Sequence, residues 1–81
     1  MRFHRLDGFK EHYKRLQPDE QDLVDKALEF LAANPRHPSL RLKKRKGSEI
    51  WEARASINLR FTFTWKGDLI TLRVVGHHDE V

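Results

Sequence analysis

Eighty-one residues suffice for one small domain, whose core buries only roughly 60 % of the surface that an unfolded chain of this size exposes. The absence of cysteine excludes a disulfide framework and a thiolate metal site, so the fold has to rest on packing alone. Sixteen Lys and Arg against twelve Asp and Glu give a net charge of +4, and no apolar run reaches the length of a membrane span or a signal peptide, so a soluble, cytoplasmic protein with no membrane partner is expected.

The charge is polarised along the chain. Residues 36 to 46 hold Arg36, Arg41, Lys43, Lys44, Arg45 and Lys46 with no acid, whereas residues 19 to 29 hold Asp19, Glu20, Asp22, Asp25 and Glu29 with a single lysine. Such a distribution attracts polyanions to one side, nucleic acid first among them and an acidic protein partner second.

Residues 1 to 6, with Phe3 and Leu6 apolar, read as an edge strand or an irregular lead-in. Asp7 is placed to cap a helix running to about Leu16, in which Phe9, Tyr13 and Leu16 share one face. Gln17-Pro18 ends that helix and opens a second, because proline suits the first helical turn and Asp19 and Glu20 suit the positive end of the helix dipole. Leu23, Ala27, Phe30 and Leu31, widened by Val24 and Leu28, form its apolar stripe, and Asn34-Pro35 ends it. The connector through Pro38 leads to a short basic strand in which Leu40 and Leu42 alternate with Arg41 and Lys43.

Three further strands follow between Ile50 and His78, each alternating an apolar with a polar face. Trp51, Ala53 and Ala55 oppose Glu52, Arg54 and Ser56; Leu59, Phe61, Phe63 and Trp65 oppose Arg60, Thr62 and Thr64; Ile70, Leu72 and Val74 oppose Thr71 and Arg73. A three-residue loop at Ile57-Asn58-Leu59 preserves the faces and pairs Arg54 with Thr62, while a two-residue loop at Ile57-Asn58 mixes them. At the next turn, Lys66-Gly67 and Gly67-Asp68 both preserve the faces, the first setting Arg60 opposite Arg73 and the second setting Thr62 there. The expected architecture is α+β: two N-terminal helices on one face of a small antiparallel sheet of about four strands, as a single domain over residues 1 to 81.

Arg54, Arg60 and Arg73 thus fall on one sheet face. Like charges facing one another across strands are unfavourable, so the face is either solvated or built for an anion, and guanidinium forks match phosphate oxygens. Five histidines are present, without the spacing of a metal site, so no metal and no cofactor is expected. His77 and His78 are adjacent, and in extended chain only one of them can face the arginines. Cleavage of RNA without a metal needs a group to take the 2′-hydroxyl proton, a group to protonate the leaving 5′-oxygen, and cations for the phosphorane charge. Arg54, Arg60, Arg73 and His78 form such a set, His78 because imidazole titrates near neutrality.

The runs HPSLRLKKRKGSEIWEARASINLRFTF and GDLITLRVVGHHDEV resemble the RelE/ParE superfamily of bacterial toxins, in particular the RelE- and YafQ-like messenger-RNA interferases, over roughly residues 34 to 81. The resemblance rests on an ordered combination: a Pro-Ser-Leu connector, a basic Leu-Lys-Lys strand, Trp-x-x-Arg, a second-strand arginine and a terminal Gly-x-His-Asp-Glu. It implies the toxin of a type II toxin-antitoxin system, which enters the ribosomal A site, cuts messenger RNA to a 2′,3′-cyclic phosphate and a 5′-hydroxyl, and is neutralised by a cognate antitoxin. By motif, Arg54, Arg60, Arg73 and His78 match catalytic positions, and Lys43, Lys44 and Lys46 match the basic strand and loop that approach ribosomal RNA. Glu52 is a candidate base, and Leu59 departs from the aromatic that often precedes the second-strand arginine. The alternatives are a ParE-like DNA gyrase inhibitor, for which the histidine is dispensable, and a catalytically weak RNA-binding member of the superfamily.

Overall fold

The computed structural model describes residues 1 to 79 and 81, so Glu80 of the terminal Gly-x-His-Asp-Glu motif lies outside the described residues. Its elements in chain order are β1 (Arg2–Arg5), α1 (Asp7–Arg15), α2 (Pro18–Ala33), a 3-10 turn at Pro38–Leu40, β2 (Lys43–Lys44), β3 (Ile50–Arg54), β4 (Leu59–Lys66) and β5 (Leu69–His77). The strands form one sheet in the order β1-β5-β4-β3-β2. It has five strands rather than the expected four, and it is mixed rather than wholly antiparallel. The residues before α1 are a true edge strand, paired parallel to β5 with Phe3 opposite Ile70, while every other pairing is antiparallel.

Both helices form where the apolar spacing places them, with small shifts at the ends. Helix α1 begins at Asp7 with Leu6 at the N-cap, so Asp7 sits in the first turn, facing the positive helix end, rather than capping it. Helix α2 starts on Pro18, and the Glu20 carboxylate accepts the Gln17 main-chain N–H at 3.0 Å, which satisfies one of the donors a helix start leaves unpaired. Val24, Ala27, Leu28 and Leu31 of α2 are buried with Phe9 of α1, but Leu23 is 40 % exposed and lies outside the stripe. The helices cover the sheet face made by Ala53, Leu59, Phe61, Phe63, Ile70, Leu72 and Val75, and Leu40 closes one end. Phe61 and Phe63 are fully buried at the centre, their rings 5.9 Å apart.

Three features of the sheet depart from simple alternation. Pro38–Leu40 form the 3-10 turn and Arg41 follows in the left-handed region at φ 48°, so the basic strand contracts to Lys43–Lys44. The β3–β4 register sets Arg54 opposite Arg60 and Glu52 opposite Thr62, two residues displaced from the expected pairing of Arg54 with Thr62. Faces survive because the shift is even. The longer loop holds itself together, since Ser56 accepts the Leu59 N–H on its hydroxyl and Ala55 N–H donates to the Leu59 carbonyl. At the β4–β5 turn the Gly67-Asp68 alternative holds, with Lys66 opposite Leu69 and Gly67 at φ 60°, as the first central position of a two-residue hairpin requires.

The third departure is a β-bulge. Phe63 pairs with Leu72 but Thr62 pairs with Val74, so Arg73 is an extra residue in β5. Beyond it the alternation changes phase. Val75, not Val74, is buried opposite Phe61 in the core, which corrects the assignment of Val74 to the apolar face.

Candidate functional site: the arginine and histidine face of the sheet

The bulge decides which histidine joins the arginines. In an unbroken β5, Arg73, Val75 and His77 would share one face, and His78 would turn toward the helices. With one residue inserted, His77 pairs with Leu59 on the helix-covered side, and its Nε2 lies 2.9 Å from the Glu20 carboxylate at the start of α2. His78 falls to the other side, where its Nδ1 accepts a hydrogen bond from Arg60 Nε at 3.2 Å. Local sequence held one trace of this: Val74 and Val75 are consecutive β-branched residues where alternation demands a polar one.

Arg60 is only 9 % exposed although it lies on the face away from the helices. Its Nη2 donates at 3.4 Å to the Ile57 carbonyl in the β3–β4 loop, so one guanidinium ties that loop to the end of β5. Because Arg60 Nε–H donates to Nδ1, that nitrogen carries no proton, and a neutral His78 ring keeps its proton on Nε2. The ring thereby presents an N–H to anything arriving from solvent, where His78 is exposed. Arg73 leans on the same face, its Nη1 donating to Thr62 Oγ1 at 3.3 Å, and Thr62 itself is fully buried.

Arg54 stands opposite Arg60 in the ladder and borders a cleft of about 200 Å³ beside Leu23, Lys26, Ala27 and Phe30 of α2. Its Nε is buried and has no hydrogen-bond partner among the described residues. A buried guanidinium N–H without an acceptor is costly. The structure therefore joins Arg60, His78 and Arg73 through direct contacts or a shared strand, and Arg54 through register.

Glu52 is held rather than loose. It accepts from Arg45 Nη2 at 3.2 Å and lies 3.8 Å from Lys43 Nζ. Arg45 also donates to the main-chain oxygen of Val81 at 3.1 Å, which ties the end of the described chain to the same face. Sequence reasoning passed over Arg45. The signal was its two-residue offset from Lys43, the lysine that β2 sets opposite Glu52. The lysines expected to act together are separated by the pleat: Lys43 faces Glu52, Lys44 faces Trp51 on the other side, and Lys46 lies exposed in the following turn.

The arrangement of two helices packed on a five-stranded mixed sheet is a fold that this chain shares with solved toxin structures. The chain is similar to a copper-bound mutant toxin from Helicobacter pylori at 16 % identity, covering 100 % of this chain and 98 % of that one, with a TM-score of 0.80. YafQ from E. coli matches at 11 % identity over 99 % of this chain and 97 % of its own, with a TM-score of 0.79. The antitoxin-toxin complex RelB-RelE from Methanococcus jannaschii matches at 22 % identity over 95 % and 92 %, with a TM-score of 0.72. No protein-family model matches the chain, and no curated protein matches it. No helix among the described residues is long and apolar enough to cross a membrane.

Proposed function

We propose that this chain is a single-domain toxin of a type II toxin-antitoxin system and that it cleaves messenger RNA on the ribosome without a metal. The observation that carries the proposal is the Arg60–His78 hydrogen bond on the arginine face, 3.2 Å from Nε to Nδ1. That bond gives His78 a defined tautomer in which Nε2–H points outward as a hydrogen-bond donor. In this reading Nε2–H hydrogen-bonds the leaving 5′-oxygen while the 2′-oxygen attacks phosphorus, water supplies the proton that completes the 5′-hydroxyl, and the other product is a 2′,3′-cyclic phosphate. The guanidinium groups of Arg54, opposite Arg60 in the ladder, and Arg73, beside Thr62, supply donors to the phosphorane oxygens.

Glu52, a carboxylate on this face, is assigned the 2′-hydroxyl proton, with Arg45 as the residue that holds it in place. Lys43 and Lys46 are the cations available to ribosomal RNA on the site's side, and the acidic partner suited to so basic a chain is a cognate antitoxin. Several proteins of the same fold were solved as antitoxin complexes, RelB-RelE and DinJ-YafQ among them, which supports that partner.

The test is induced expression with messenger-RNA 5′ ends mapped for the wild type and for His78→Ala. In-frame cuts that vanish in the variant are the expected result. Growth arrest without cuts, unaffected by His78→Ala, would replace this reading with gyrase inhibition.

A further inference from the structure

At the other end of the sheet, and on its helix-covered face, lies a cluster that the cleavage reading leaves unused. Trp51 of β3 and Trp65 of β4 meet edge to face, their ring centroids 5.5 Å apart. Both indoles are only partly buried, at the rim of the core. Trp65 is fixed in place because its Nε1–H donates to the Gly67 carbonyl at 3.0 Å. Cations surround the pair: the Arg36 guanidinium lies 5.7 Å and the Lys44 ammonium 5.9 Å from the Trp51 ring centroid. Lys66 joins Lys44, Trp51, Thr64 and Trp65 in lining a cleft of about 90 Å³, and it is paired at 3.5 Å with Glu49, the cleft's one acid.

Ring faces beside a row of cations are the combination by which proteins hold unpaired nucleotides. The base stacks on the aromatic, and the flanking phosphates meet Lys and Arg. A rim that only sealed the core would have no need of three cations around two indoles. We infer that the Trp51–Trp65 cleft is a stacking site for an unpaired RNA base, with Arg36, Lys44 and Lys66 holding the adjoining phosphates. It is separate from the cleavage face: Trp65 lies five steps along β4 from Arg60, about 17 Å along the strand. The pleat also turns the two onto opposite faces. RNA bound here is therefore gripped away from the bond proposed to be cut, and the choice of RNA over other polyanions rests on that cleavage reading.

The chain has two tryptophans and both are in this cleft, so tryptophan fluorescence reports on it alone. We would titrate the Arg60→Ala protein with a short unstructured oligouridylate, and separately with inorganic polyphosphate of similar charge. The expected result is saturable quenching by the oligonucleotide and none by polyphosphate, with Trp65→Leu weakening the binding by about 5- to 150-fold. Should Trp65→Leu fail to fold, Lys44→Glu and Lys66→Glu at exposed positions are expected to weaken the same titration. Equal quenching by polyphosphate would overturn the inference, and so would oligonucleotide binding, seen by anisotropy of a labelled strand, that leaves the fluorescence unchanged. A protein that cuts messenger RNA but shows no quenching refutes this site alone; quenching by a protein that never cuts leaves the site standing and refutes the nuclease reading.

Discussion

Replacing Arg60 by lysine keeps the charge and removes the geometry. Lysine has no Nε–H at the required place, so the 3.2 Å bond to His78 Nδ1 and the longer bond to the Ile57 carbonyl are both lost. A hydrogen bond involving a charged group contributes about 1.5 to 3 kcal/mol, and the 3.4 Å contact adds little. At about 0.05 to 0.15 kcal/mol per residue, a chain of 81 residues has a total stability of about 4 to 12 kcal/mol, so the variant should fold. Its urea midpoint, read by tryptophan fluorescence, should fall by about 1 M for slopes of this size class. The ring of His78 provides the sharper readout. In the wild type, nitrogen NMR should find the proton on Nε2 and none on Nδ1; in Arg60→Lys the two tautomers should mix, and cleavage should drop by about 10- to 150-fold if the bond persists in the transition state. A wild-type ring protonated on Nδ1, or a variant whose tautomer and midpoint are both unchanged, would refute the reasoning.

Phe61→Ala should cost about 3 to 5 kcal/mol, because the ring is fully buried at the centre of the helix-covered face; urea unfolding checks this, and a loss under about 1 kcal/mol would mean the core is elsewhere. The phase change at the bulge is testable by a pair of isosteric changes: Val75→Thr should destabilise by about 1 to 3 kcal/mol, since it buries a hydroxyl opposite Phe61, while Val74→Thr on the other face should cost much less. Tyr13 is the chain's one tyrosine, and burial together with its hydrogen bond to Asp25 at 2.8 Å holds its pKa above the ordinary 10.0. Ultraviolet titration should show the phenol ionising late and Asp25→Asn should bring it partly back; the associated stability is present below pH 10 and is lost as pH rises through the raised value.

Local periodicity carried the helices, the face assignments and the convergence of arginines, because spacing of 3.6 or 2 residues is a property of adjacent positions. Phe9 in α1, Val24 and Leu31 in α2, and Phe61 and Phe63 in β4 are buried where that spacing puts them. The charge asymmetry around residues 36 to 46 was equally plain in the sequence.

Tertiary pairing decided the rest. Whether residues 2 to 5 form a strand depends on β5 offering an edge beside them, sixty-odd residues later in the chain. The two-residue displacement between β3 and β4 was invisible because an even shift leaves every side chain on its expected face. The bulge at Arg73 is set by packing, since Val75 is buried against the core only if one residue is looped out before it. That single insertion brings His78, rather than His77, to Arg60. Sequence thus determined the helices, the two faces of each strand and the candidate residues, but long-range strand pairing decided which of those residues meet, because hydrogen-bond register is a relation between distant segments that no local pattern encodes.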